Sequence, residues 1–165
     1  MDTFVGRATT ALVERGFDGY VVGGAVRDGL LDHAPDDLDI AVSGNSLSAA
    51  DAVAESTGGR LIVLDPVRGH FRINRPLDAG PGPSWIDIAL TQGDIEDDLA
   101  RRDFTINAMA VGLPNWADDL YRAHLVDPLG GQEDLRRSVL RASSFDVLEA
   151  DPVRCVRAAR FTAPF

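Results

Sequence analysis

Apolar residues recur at helical spacing over residues 3–15, with Phe4, Ala8, Leu12 and Val13 on one side and Gly16 as the stop. A β-rich run, Tyr20-Val21-Val22, halts at Gly23-Gly24, and a second helix over residues 25–31 follows without a linker. Leu38–Val42 reads as a strand, after which Ser46 caps a helix running to the Gly58-Gly59 pair. Arg60–Leu64 and His70–Asn74 predict a hairpin around Asp65-Pro66. Residues 77–84, with Gly-Pro-Gly-Pro, predict a loop, and Trp85–Leu90 returns as a strand. Helical spacing resumes over 95–101 and continues from Phe104 to Ala110. A strand near His124–Val126 ends at Asp127-Pro128-Leu129-Gly130-Gly131, and Asp151-Pro152 opens a last helix, since proline suits a first turn. Strands and helices interleave, so the predicted class is mixed α/β with one sheet.

Composition narrows the chemistry. The 165 residues carry 16 basic side chains, all arginine, and 26 acidic ones, for a net charge of −10. With no lysine there is no Walker-type phosphate loop, Schiff-base nucleophile or lysine general base. The single Cys155 excludes an internal disulfide and a multi-cysteine zinc site, and His33, His70 and His124 match no zinc spacing. A metal here would be held by oxygen, which points to Mg2+, with Mn2+ as the alternative. Residues 1–100 hold seven arginines and seventeen acids, whereas residues 101–165 hold nine of each. Acidic character disfavours nonspecific binding to nucleic acid. It suits metal ions on one wall and a polyphosphate on the other, although a solvated acidic surface would look the same by composition. No apolar signal core opens the chain and no run of 18 apolar residues follows, so we expect no membrane span and a cytoplasmic protein.

Four constellations could carry chemistry. Gly23-Gly24-Ala25-Val26-Arg27-Asp28 lies between a strand and a helix, where glycines permit close approach to an anion and Arg27 can reach it; a tight turn with a surface arginine is the plainer alternative. In Asp37-Leu38-Asp39 the two acids share one face about 6.6 Å apart along a strand and repel unless a cation joins them. Asp36 points away from that face. Asp87, alone among Trp85, Ile86, Ile88 and Leu90, would complete a three-carboxylate site if it faces the same way, and is merely solvated if it faces outward. Finally, Arg101-Arg102-Asp103-Phe104-Thr105-Ile106-Asn107-Ala108 combines two guanidinium forks with a helix-capping aspartate and an inward Asn107.

In this order the motifs resemble the head of the tRNA nucleotidyltransferases and bacterial poly(A) polymerases, the eubacterial and eukaryotic-type class within the DNA polymerase beta superfamily. The resemblance runs from Tyr20 to Phe161 and includes Asp98-Leu99-Ala100 before the arginine pair and Asp127-Pro128-Leu129-Gly130-Gly131 with Asp134-Leu135. It implies a polymerase-beta-like fold, one mixed sheet flanked by helices, with a head over residues 1–140 and the start of a helical neck over 141–165. It implies that Asp37, Asp39 and Asp87 hold two Mg2+ ions, that Gly23, Gly24 and Arg27 receive the triphosphate, and that Arg101, Arg102, Asp103 and Asn107 contact the nucleotide. The family's base-choosing motif, E-D-x-x-R, stands here as Ala150-Asp151-Pro152-Val153-Arg154, with Arg157 and Arg160 at further nucleotide-contacting positions. The first glutamate is replaced, and Glu149 lies one residue early.

The implied reaction is template-independent transfer of CMP or AMP from CTP or ATP to a tRNA 3′ end, with release of pyrophosphate. Only Thr91-Gln92-Gly93-Asp94 connects Leu90 to the next helix, a short connection that resembles enzymes adding only cytidines, or a lineage variant of the family. The last helix runs toward Phe165 with arginines at 154, 157 and 160, which suggests a catalytic head whose RNA-gripping domains lie elsewhere. Alternatives are a poly(A) polymerase, a small nucleotidyltransferase modifying a protein or small molecule, and a nucleotide-binding module without turnover.

Overall fold

A computed structural model describes residues 3–117 and 122–161. In chain order, the first helix is α1 (Phe4–Glu14), followed by β1 (Gly19–Val22), α2 (Gly24–Leu30), β2 (Leu38–Val42) and α3 (Ser46–Thr57). Next come the hairpin β3 (Arg60–Asp65) and β4 (His70–Asn74), then β5 (Trp85–Leu90) and α4 (Ile95–Ala100). A 3-10 turn (Thr105–Asn107), β6 (Ala110–Gly112), α5 (Leu113–Ala117) and β7 (Leu125–Val126) follow. Three short helices complete the described chain: α6 (Gly131–Arg136), α7 (Phe145–Ala150) and α8 (Val153–Phe161). The residues leading to Phe165 lie outside the described residues.

The strands form one sheet in the order β3-β4-β5-β2-β1-β6-β7, parallel only between β2 and β5 and antiparallel at the other pairings. Side-chain alternation decides its two faces. Leu38, Ile40 and Val42 of β2, Phe71 and Ile73 of β4, and Ile86 and Ile88 of β5 are buried with Phe4, Ala8 and Leu12 of α1 and Ala49, Ala50 and Val53 of α3. Asp39 and Asp87 fall between those apolar residues and therefore face the other side of the sheet. There the apolar cluster is small: Val22, Ala41, Leu99, Ala108 and Ala110. The large core on one face thus leaves the opposite face open for polar chemistry.

Several expectations change. The Phe104–Ala110 stretch is not a helix but the 3-10 turn followed by β6, whose Ala110 and Val111 pair with Val22 and Val21 of β1. Its apolar spacing reflects burial between sheet and helices rather than one amphipathic face. Helix α3 is capped by Asn45, whose side chain accepts from the Ser48 N–H at 3.0 Å, and Ser46 is its first residue. Val13 is 38% exposed and lies off the core side of α1.

The Asp127–Gly131 segment is a structural joint. Asp127 accepts from the N–H groups of Gly131 and Gln132 at 2.7 and 2.9 Å, so it starts α6. Asp134 is buried and accepts from the Thr105 hydroxyl at 2.7 Å and from Arg141 through Nε and Nη2 at 2.8 and 2.9 Å. These bonds, Arg141 first, hold its carboxyl below the usual range. A depressed carboxyl stabilises the fold above its unfolded pKa and loses that contribution as the pH falls through its folded value. Asp134→Ala is therefore expected to cost about 1–3 kcal/mol in urea unfolding at pH 7, because it removes the Arg141 grip and leaves the buried Thr105 hydroxyl only a long 3.4 Å bond to the Arg141 carbonyl. The gap to the native chain should narrow below about pH 4.

Candidate active site

The row of side chains across the centre of the sheet fixes the site. Pairing sets Asp39 of β2 directly beside Asp87 of β5, and Arg72 of β4 directly beside Asp87 on its other side. Asp37 stands one residue before β2, not within it as its spacing suggested, yet its charge still acts on Asp39. Burial, then the Asp37 charge and more weakly Asp87, push the Asp39 carboxyl up from an ordinary 3.8 to about 6, while Arg102 and Arg72 pull it partway back. Asp36 is exposed, as its position implied.

Arg72 holds Asp87 with a full fork, Nε to Oδ1 and Nη2 to Oδ2, both at 2.7 Å. Its guanidinium also stacks 4.3 Å from the Trp85 ring centre. Sequence reasoning missed Arg72. The available signal was alternation in His70-Phe71-Arg72-Ile73-Asn74, which aims Arg72 at the polar face; its partner depended on the cross-strand register.

Asp39 and Asp87 line a cleft of about 600 Å³ together with Arg101, Arg102, Asp103, Arg154 and Arg157. Gly23 backs onto it with φ +73°, a conformation that favours glycine, and a Cβ there would lie 2.9 Å from Arg102 Nη1 and 3.6 Å from Asp39 Oδ2. Arg102 is anchored through Nη2 to Asp98 at 3.2 Å. Arg154 reaches from α8 to the Arg101 carbonyl at 3.2 Å, and Arg157 pairs with Asp103 at 2.9 Å. Helix α8 thereby forms one wall of the cleft.

A polar network runs beside it. Arg27 gives Nε and Nη2 to Asp28 at 2.9 and 2.7 Å and Nη1 to Asn107 at 2.7 Å. Asn107 in turn donates to Asp103 at 3.3 Å, and Asp103 also accepts from the Phe104 N–H at 2.9 Å. Asp103 therefore does not cap a helix as expected; it ties the 3-10 turn to α8. Arg27 and Asn107 belong to this network and do not line the cleft, and neither does Gly24. Asp151 and Arg160 also stand outside it. Asp151 accepts from the Val153 N–H at 3.1 Å and lies 3.7 Å from Arg154 Nε, while Arg160 sits 5.7 Å from the Phe161 ring centre.

A cation test of the site has two sides. The donors are carboxylate oxygens only, and a half-buried acid whose proton affinity is raised by desolvation and then by two like charges is a group that a divalent ion would relieve. Among the described residues, no three His, Cys, Asp or Glu side chains already converge on one point, and Asp87 has both oxygens on Arg72. The donor chemistry fits Mg2+ or Mn2+, with Asp87 as the group that has to be shared.

Comparison with known proteins is consistent with this geometry. Residues 19–73 and 84–141 match the family described as Poly A polymerase head domain. The CC-adding tRNA nucleotidyltransferase of Geobacter sulfurreducens is 45% identical over 148 residues, 90% of this chain and 32% of that protein. The A-adding tRNA nucleotidyltransferase of Deinococcus radiodurans is 43% identical over 141 residues, 86% of this chain and 29% of its own length. Among solved structures, the Thermotoga maritima CCA-adding enzyme complexed with tRNA superposes with a TM-score of 0.79 at 35% identity, covering 98% of this chain and 37% of that one. The chain thus spans about a third of the length of the relatives it matches. Sheet order, motif positions and these likenesses agree that the chain has the mixed α/β nucleotidyltransferase fold of the CCA-adding enzymes and belongs to the poly(A) polymerase head-domain family.

Proposed function

We propose that this chain is the catalytic head of a template-independent tRNA nucleotidyltransferase, transferring CMP or AMP from CTP or ATP to an RNA 3′ end. The observation that carries the reading is the side-by-side placement of Asp39 and Asp87, with Asp37 two residues before, against the Gly23 turn and an arginine-lined cleft. In the reaction the RNA 3′-hydroxyl oxygen bonds to the α-phosphorus, the bond to the β-phosphate bridging oxygen breaks, and pyrophosphate leaves. Asp37, Asp39 and Asp87 would hold the Mg2+ ions, which when bound acidify the attacking hydroxyl and neutralise charge on the leaving group.

The chain's own groups supply the rest. Arg102, fixed against Gly23 and Asp98, presents positive charge to the phosphates at the carboxylate side of the cleft. Arg27 and Asn107 brace the Gly23-Gly24 turn, so the backbone that faces the triphosphate is held without side-chain bulk. Arg154 and Arg157, on the α8 wall, are placed to meet the sugar and base with Asp103 and Arg101, and Asp151 and Arg160 extend that wall. Residues 1–140 would be the head and 141–165 the beginning of a nucleotide-selecting neck, a boundary supported by the family match ending at 141.

The four-residue connection between β5 and α4 supports cytidine addition, and the names of the relatives support tRNA as acceptor over a protein or small molecule. No helix among the described residues is long and apolar enough to cross a membrane. The exposed thiol of Cys155 is compatible with the cytoplasm as the place of action. The test is incubation with tRNA lacking its 3′ end and each nucleotide separately, followed by sizing of the product. One or two added cytidines, or a single terminal adenosine, support the reading; label from α-labelled ATP appearing in protein rather than RNA contradicts it, and long adenosine tails identify a poly(A) polymerase.

A further inference from the structure

Two carboxylates side by side on one sheet face repel, and the row in which they stand ends in a positive charge. Arg72 adjoins Asp87, Asp87 adjoins Asp39, and the three residues cross three neighbouring strands. The Arg72 fork takes one acceptor site on each Asp87 oxygen, both at 2.7 Å, and seats its charge directly on that carboxylate. The guanidinium is itself fixed, because Trp85 lies two residues before Asp87 on the same strand face and its ring stacks 4.3 Å away. Asp37 and Asp39 act on Arg72 too, more weakly than Asp87, while Arg102 shares the balance at Asp39.

We propose that Arg72 is the resident counter-cation of Asp87, and that it competes with an incoming divalent ion for that carboxylate. The inference rests on the reading that Asp37, Asp39 and Asp87 bind such an ion. An ion that recruits Asp87 meets a positive charge already seated on that side chain, which repels it and weakens its hold on both oxygens. Arg72 thereby tunes affinity downward, so that Asp87 is committed only when the other donors, Asp37 and Asp39, are engaged too.

The test is Mn2+ binding to the full chain without nucleotide, followed by the EPR signal of the free ion. Arg72→Met keeps an unbranched stem over Trp85 while removing the fork and the charge. It is expected to bind Mn2+ about tenfold more tightly than the native chain, the scale set by removing one charge at contact distance. Arg72→Lys keeps the charge without the two-point grip and should fall between the two; it carries the test alone if Arg72→Met does not fold. In an Asp87→Asn background the gain from Arg72→Met should shrink below about threefold, since the shared partner is gone. Equal or weaker Mn2+ binding by Arg72→Met, or by Arg72→Lys where it stands alone, overturns the proposal, as does a gain that survives intact in Asp87→Asn. Native-level Mn2+ binding by Asp39→Asn is a different failure: it removes the carboxylate site itself, whatever Arg72 does.

Discussion

Asp39→Asn is expected to abolish nucleotide transfer and, at the same time, to make the protein more stable. Loss of a carboxylate that positions the catalytic charge should remove several kcal/mol of transition-state stabilisation, which at tenfold per 1.36 kcal/mol is at least a roughly hundredfold fall in rate. The stability gain follows from the raised Asp39 carboxyl. Its folded value of about 6 lies above the ordinary 3.8, so the native state binds the proton more tightly than the unfolded one. Stability from this group is complete below the unfolded pKa, falls as the pH rises between the two values, and stays low above them. Asparagine removes that loss, so the variant should be more stable at pH 7 without divalent ions by up to about 3 kcal/mol. The matching rise in melting temperature is on the order of 2–4 °C per kcal/mol. Calorimetry from pH 3.5 to 7.5 checks it: the native melting temperature should fall relative to the variant between pH 4 and 6. Parallel curves over that range would show that Asp39 is not strained.

Gly131→Ala is expected to be the most damaging substitution to the fold. A Cβ at Gly131 would come within 2.1 Å of the Thr105 carbonyl oxygen and 3.1 Å of Met109 Cγ. The first of these is backbone, so neither element can yield by turning a side chain. Helix α6 would have to move off the 3-10 turn, and Asp134 would lose its bond to Thr105. The expected cost is at least about 3 kcal/mol, the upper range for overpacking. The consequence should extend to the site, because the same turn carries Asn107, which grips Arg27 at 2.7 Å. Urea unfolding measures the first effect. A cost under about 1 kcal/mol would mean that the joint tolerates a shift that its geometry forbids.

Much of the site was legible before any coordinate. The acids at 37, 39 and 87 stand where a solvated surface has little use for them, and Asp39 and Asp87 interrupt apolar alternation in strands whose bounds, Leu38–Val42 and Trp85–Leu90, were readable from that same alternation. Arginines at 154 and 157, one helical turn apart, do face the cleft together. Register was not legible. Nothing local says that β5 lies beside β2 in parallel, or that β4 sets Arg72 against Asp87, because pairing partners are chosen by the core that Ile40, Ile73 and Ile88 build from afar. The same limit explains the Phe104–Ala110 stretch. Its residues are buried on every side, so helix and strand periods could not be told apart, and pairing with β1 decided the outcome. Helices α6 and α7, six residues each, are too short to leave a periodic signature.

The central claim is convergence of three acids on one divalent ion, and anomalous diffraction from crystals of the chain grown with Mn2+ and CTP tests it most directly. The account predicts an anomalous peak within about 2.6 Å of carboxylate oxygens from Asp37, Asp39 and Asp87, beside the Gly23 turn. Manganese bound elsewhere, with no carboxylate oxygen of Asp39 or Asp87 on it, would contradict it.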